Sequence, residues 1–85
     1  HPDNPTYLDT HGWVLYTLEK YEEALVYLRK AADLQEDGTV IEHYGDVLYK
    51  LGKIDEAVKQ WKRASLLNDA SKNIEKKIAE RKLYE

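Results

Sequence analysis

The chain contains no cysteine, no methionine and no phenylalanine, and only two prolines and four glycines in 85 residues. Without cysteine there is no disulfide framework, no thiolate zinc site and no cysteine nucleophile. Without methionine there is no initiator, and the opening His1-Pro2-Asp3 reads as an expected fragment or processed product of a longer chain. Both prolines, Pro2 and Pro5, precede any periodic pattern, so proline interrupts no helix downstream. No apolar run approaches the ~20 residues that span a bilayer, so membrane insertion is not expected, and no signal-peptide pattern opens the chain. An excess of positive charge is missing too. Thirteen Lys+Arg stand against sixteen Asp+Glu, a net charge of −3, which argues against a nucleic-acid partner.

What is present is enough for one small domain. Hydrophobic residues make up 42% of the chain, well above the disordered range. Asn4-Pro5 reads as a helix start, with Asn4 as N-cap and Pro5 in the first helical position. Leu8, Leu15 and Leu18 then recur at helical spacing. A second stretch runs through Tyr21, Ala24, Leu25, Leu28, Ala31 and Leu34. Glu36-Asp37-Gly38 is the clearest break. Thr39 with Glu42 has the spacing of a capping box ahead of Ile41, Tyr44, Gly45, Leu48 and Leu51. Gly52 suits a left-handed helix end. Ile54, Ala57, Val58, Trp61, Ala64 and Leu67 form a fourth amphipathic pattern, and Ile74 with Ile78 marks a fifth. No stretch alternates with period two, so the fold class is all-α, with five helices.

Sliding the chain by 33 residues brings two of these helix pairs into register. Gly12 falls on Gly45, Val14-Leu15-Tyr16 on Val47-Leu48-Tyr49, Leu18 on Leu51, Glu23-Ala24 on Glu56-Ala57, Ala31 on Ala64 and Leu34 on Leu67. Residues 8–34 and 41–67 share 10 identities in 27 positions, the mark of a duplicated helix-turn-helix unit. The unit resembles the tetratricopeptide repeat through Leu8, His11, Gly12, Leu15, Ala24 and Leu28 in one copy. Ile41, Tyr44, Gly45, Leu48, Ala57 and Trp61 carry the same likeness in the other. The helix-closing proline of that motif is replaced by Glu36 and Asp69, and His11 is polar where the motif is apolar. The wording of residues 12–16 and 20–24 is also similar to the last repeats of long bacterial proteins of this family. That likeness would place the chain in the cytoplasm or periplasm of a bacterium.

The resemblance implies a right-handed superhelical solenoid fragment. Its parts are a tail at 1–4, a first repeat at 5–37, a second at 38–70 and a capping helix at 71–85. A glycine inside a helix costs ~1 kcal/mol against alanine, so Gly12 and Gly45 are expected to admit close contact with Ala24 and Ala57. The same register puts Ile74 opposite Leu8 and Ile41, and Ile78 where the glycines stood. Residues 71–84 therefore read as a half-repeat that covers the stack at the C-terminal end of an array.

Catalysis has little to work with. Ser65 and Ser71 lack a nucleophile elbow, His1, His11 and His43 lack metal spacing, and no glycine-rich loop precedes a helix. No enzyme activity, cofactor or metal is expected, and His11 reads as a packed histidine. Binding has better candidates. In the resembled family the first helices of successive repeats line a concave groove for a peptide or partner helix. By register, that groove would carry Asp9, Trp13 and Tyr16 from the first copy. Glu42, Asp46, Tyr49 and Lys50 come from the second, and Glu75 and Lys82 from the cap. Trp13 and Tyr49 would be anchors, although Tyr16 and Tyr49 also suit gaps between helices. Some family members clamp a C-terminal carboxylate with Lys and Asn. Asp9, Trp13, Glu42 and Asp46 stand here instead, so a basic or apolar partner is expected. Tyr7, Val14 and Leu18 lie on a first helix with no upstream neighbour, and are expected to stack or self-associate. The leading expectation is a non-catalytic protein-binding module of a longer scaffold. The alternatives are a structural solenoid end that caps or oligomerises, and an accessory domain of an enzyme.

Overall fold

A computed structural model of the chain describes residues 4–67 and 69–83. The helices are α1 (Pro5–Thr17), α2 (Tyr21–Leu34), α3 (Gly38–Lys50), α4 (Ile54–Ser65) and α5 (Ile74–Glu80), and no strand forms among the described residues. Asn4 caps α1 as its sequence suggests: Oδ1 accepts the backbone N–H groups of Thr6 at 2.9 Å and Tyr7 at 3.3 Å. The cap of α3 differs from the expected Thr39–Glu42 box. Asp37 is the N-cap and accepts the N–H of Val40 at 3.1 Å, with Gly38 already in the helix. Glu42 is drawn away because its carboxylate binds Ser71 and Lys77.

Each pair of helices is a hairpin closed by the same turn. Glu19 N–H donates to the Tyr16 carbonyl and Lys20 N–H to that of Leu15, both at 2.9 Å. Thirty-three residues on, Gly52 and Lys53 make the same two bonds to Tyr49 and Leu48. This is the Schellman pattern, which needs a left-handed residue after the helix. Gly52 supplies it at φ 82°, while in the first hairpin a glutamate, Glu19, is held at φ 61°.

α1 packs on α2, α2 on α3, α3 on α4 and α4 on α5, and α1 also touches α3. Thus α1, α3 and α5 form one layer and α2 and α4 the other. The core is two joined clusters. Leu15, Tyr16, Ala24, Leu28 and Val47 make one, and Leu8, Ile41, Leu48, Ala57, Trp61, Ala64 and Ile74 belong to the other. Burying each large side chain contributes ~1.5–3 kcal/mol, and Leu28 and Trp61 are fully enclosed. The mid-helix glycines Gly12 and Gly45 make room for these two residues, not chiefly for Ala24 and Ala57. A Cβ on Gly12 would lie 2.7 Å from Leu28 Cγ, and one on Gly45 2.5 Å from Trp61 Cδ1. In the second hairpin the Ala57 carbonyl is also close, at 3.2 Å.

The C-terminal helix is shorter than the 71–84 half-repeat read from the register, and residue 84 lies outside the described residues. Ser71 is fastened to Glu42 and stays out of the helix, while Arg81 ends it in a left-handed conformation at φ 53°. Ile74 is buried, and Ile78 is half-buried against the core. Beyond Arg81, Leu83 turns back and packs against both clusters.

Candidate functional site

Acidic residues on each first helix meet a basic residue on the next. Asp9 on α1 lies 2.8 Å from His43 Nδ1 on α3. Lys77 on α5 places Nζ 2.5 Å from Glu42 Oε2 and 3.0 Å from Asp46 Oδ1. The second linkage is the stronger construction, because Glu42, Asp46 and Lys77 are only 4%, 5% and 4% exposed. Buried charge survives only when it is paired and hydrogen-bonded, and here every partner is supplied. Ser71 donates to Glu42 from its backbone N–H at 2.7 Å and its hydroxyl at 2.5 Å. Trp61 Nε1–H donates to Asp46 Oδ1 at 3.0 Å, and Lys77 Nζ stands 5.7 Å over the Trp61 ring.

The two carboxyls titrate in opposite directions. Burial drives Asp46 up to about 6, outweighing the Lys77 ammonium, and the neighbouring Glu42 charge pushes the same way. Burial would raise Glu42 as well. The bonds from Lys77 and Ser71 together overcome it and hold that carboxyl below its ordinary value.

Above this cluster opens a cavity of about 350 Å³ lined by Trp13, Thr39, Glu42, His43, Asp46, Asp69, Ser71, Asn73 and Lys77. Its wall is aromatic: Trp13 stacks on Tyr16 with centroids 4.5 Å apart, and on His43 at 3.9 Å. Both hydrogen bonds of Asp46 go to Oδ1. No buried side-chain nitrogen or oxygen among the described residues lacks a partner. At the far rim Asp69 accepts the Gly38 N–H at 2.9 Å, and the Asp69 carbonyl accepts the Thr39 hydroxyl.

Of the seven residues expected along the groove, Trp13, Glu42 and Asp46 line this cavity, and Asp9 holds its His43 wall. Glu42 and Asp46 bond chiefly within the chain. Tyr16 is buried in the core at 4% exposure. Tyr49 lies 5.9 Å from Trp61 in a stacked arrangement, and Lys50 is exposed with Nζ 5.9 Å over the Tyr21 ring. Neither is part of the cavity. Glu75 and Lys82, considered for the cap, are exposed and stand outside it. His11 packs edge-on to Tyr27 at 4.4 Å. Sequence reasoning missed Lys77, and the signal was available. The 33-residue register sets Lys77 on Tyr44 and His11, a packing position, where a lysine requires an acid partner.

Tyr7, Val14 and Leu18 are 48%, 50% and 60% exposed. The register mates of Tyr7 and Val14 on α3 are covered, with Val40 at 5% and Val47 at 0% exposure, while that of Leu18, Leu51, is half-buried.

Residues 6–37 match the family of the tetratricopeptide repeat. The first hairpin is a tetratricopeptide repeat. The second repeats its register, its helical glycine and its turn, so the family's fold extends over both. No curated protein matches the chain. Tetratricopeptide repeats generally mediate protein–protein interactions and are typically non-catalytic. No helix among the described residues is long and apolar enough to cross a membrane.

Proposed function

We propose that these tetratricopeptide repeats bind a partner protein without catalysis, receiving a segment of it across the face made by α1, α3 and α5. The observation that carries this reading is the open cavity between Trp13, His43 and the Glu42–Asp46–Lys77 cluster. Three carboxylates line it, from Glu42, Asp46 and Asp69, against one ammonium. That balance, with an aromatic wall beside it, favours a basic or apolar segment over a C-terminal carboxylate. Asp9 supports the same face through its contact with His43.

A photo-crosslinking side chain tests this directly. Asn73 is exposed at the cavity rim, and Lys59 is exposed on α4 outside it. A benzophenone at position 73 is expected to capture a discrete partner from the native host extract, and one at position 59 is not. Equal capture from both positions, or none from 73, defeats the proposal.

A second reading rests on the α1 face. Val40 and Val47 are covered by α2, whereas Tyr7 and Val14 have no such cover. The occupant that fits is a helix with the small-residue face of α2, which presents Ala24, Ala31 and Ala32 as buried residues. It would be supplied by a neighbouring repeat or a second copy. Sedimentation of a Val14→Glu, Leu18→Glu variant against the native chain tests it. A concentration-dependent mass that the variant abolishes supports stacking.

A further inference from the structure

The cavity beside Trp13 has spent most of its hydrogen-bond donors inside the chain. Thr39 gives its hydroxyl hydrogen to the Asp69 carbonyl at 2.9 Å. Ser71 gives its backbone N–H and its hydroxyl hydrogen to Glu42. Lys77 commits two of the three hydrogens of its ammonium, to Glu42 and Asp46. His43 turns Nδ1 to the Asp9 carboxylate, which can only accept, so Nε2 of the neutral imidazole is an acceptor. What remains on the donor side of the lining is the Asn73 amide, the Trp13 indole N–H and one Lys77 hydrogen.

Acceptors are in surplus. A hydroxyl that has donated keeps its lone pairs, and an ionised carboxylate offers about four acceptor positions. Asp69 takes the Gly38 N–H at 2.9 Å on one oxygen, and Asp46 takes Trp61 and Lys77 on one oxygen. Charge points the same way, since the carboxylates of Glu42, Asp46 and Asp69 face a single ammonium. These acceptors are spread in depth. Thr39, Asp69 and Ser71 are exposed at the rim, while Glu42, Asp46 and Lys77 are buried below. A volume of about 350 Å³ is at the small end of ligand pockets, ~300–1,000 Å³. It suits one long side chain and excludes a helix.

We infer that this cavity seats the guanidinium of an arginine side chain carried by the partner segment. The inference rests on the reading of this face as the binding surface, and it names the side chain which that surface takes. A guanidinium presents five N–H donors in one plane and accepts nothing, so it meets rim and floor acceptors together. It is also more weakly hydrated than an ammonium, and loses less on leaving water for the wall of Trp13 and His43. Lysine brings the same charge on a compact, strongly hydrated head with three donors. An aliphatic side chain would cover the rim acceptors without pairing them, which costs binding energy.

The probe is N-acetyl-arginine methylamide, titrated into the full ¹⁵N-labelled chain at pH 7 and low salt. Three N–H groups that bond lining carboxylates report on it: the amides of Gly38 and Ser71 and the indole of Trp61. Saturable shifts are expected at all three, with a Kd on the order of millimolar. The citrulline analogue, of equal shape without the charge, is expected to bind about tenfold more weakly, and the lysine analogue about threefold more weakly. The leucine analogue is expected to shift none of the three. Asp69→Asn keeps an oxygen for the Gly38 N–H and is expected to weaken arginine about threefold. Asp33→Asn, exposed on α2 outside the cavity, is expected to change nothing. Absence of saturable shifts with arginine, or citrulline or lysine equal to arginine, overturns the inference, and these comparisons need no variant. Capture at position 73 with no response to arginine overturns this inference alone and leaves the binding face standing. Loss of that capture with arginine binding intact overturns the reading of the face as a protein-binding surface.

Discussion

Lys77 Nζ sits 2.5 Å from Glu42 Oε2, with both side chains almost wholly enclosed, and this pair joins the last helix to the second repeat. Removing one member of a buried ion pair costs ~3–5 kcal/mol because the other charge is left without compensation. Lys77→Met is therefore expected to lower unfolding free energy by about 3 kcal/mol at pH 7, read from urea denaturation. The triple variant Glu42→Gln, Asp46→Asn, Lys77→Met is expected to recover most of that loss, since it leaves no buried charge behind.

The same cluster sets a pH dependence. Asp46 faces Lys77 from α5, Glu42 from α3 and the Trp61 indole from α4, and its carboxyl is raised from 3.8 to about 6. The folded state then binds more protons than the unfolded state between those two values, so this group's contribution falls as pH rises from 4 to 6. The full effect amounts to about 3 kcal/mol. Glu42, held below its ordinary value, acts oppositely: its contribution is present above pH 4.5 and is lost as acid protonates it. The thermal midpoint is expected to rise from pH 7 to about pH 5 and then fall. Asp46→Asn is expected to flatten the upper limb and leave the acid limb intact.

Glu19 occupies a left-handed position that the second repeat gives to Gly52. Glu19→Gly removes a side chain that this conformation disfavours by ~1–2 kcal/mol, and part of that gain is lost to a more flexible unfolded chain. A net stabilisation of about 0.5–1 kcal/mol is expected. Gly52→Glu in the other turn is expected to cost a similar amount.

Gly45→Ala drives a methyl into the Trp61 indole, which is fully buried and cannot withdraw. Overpacking of this kind costs ~1–3 kcal/mol, against a helix-propensity gain of ~1 kcal/mol. A net loss of about 1–2 kcal/mol is expected from calorimetry. Gly12→Ala meets the more adaptable Leu28 and is expected to cost less.

The fold was legible because it is written twice. Apolar spacing located the helices, and the repeated glycines marked the close contacts. The partner of those glycines was read one turn too early, since Ala24 and Ala57 are only the small residues beside Leu28 and Trp61. The capping box failed for a different reason. Thr39 and Glu42 have the right local spacing, but Glu42 is claimed by Ser71 and Lys77, which lie 29 and 35 residues away. The proposed binding face was legible as a layer of helices, through Asp9, Trp13 and Asp46, but its chemistry was not. Which acids remain open depends on a lysine from another helix, and pattern within one repeat does not report it.

The pairing of Lys77 with two carboxylates has a consequence for assembly order. A chain whose two hairpins share so much sequence offers its last helix two similar landing places during folding. On the first hairpin, the residues that match Glu42 and Asp46 are Asp9 and Trp13. An enclosed ammonium there would find one carboxylate and an indole, and a wrong docking would strand it half-neutralised. The cluster thus works as an address label: it favours docking of the last helix on the second of two similarly folded hairpins.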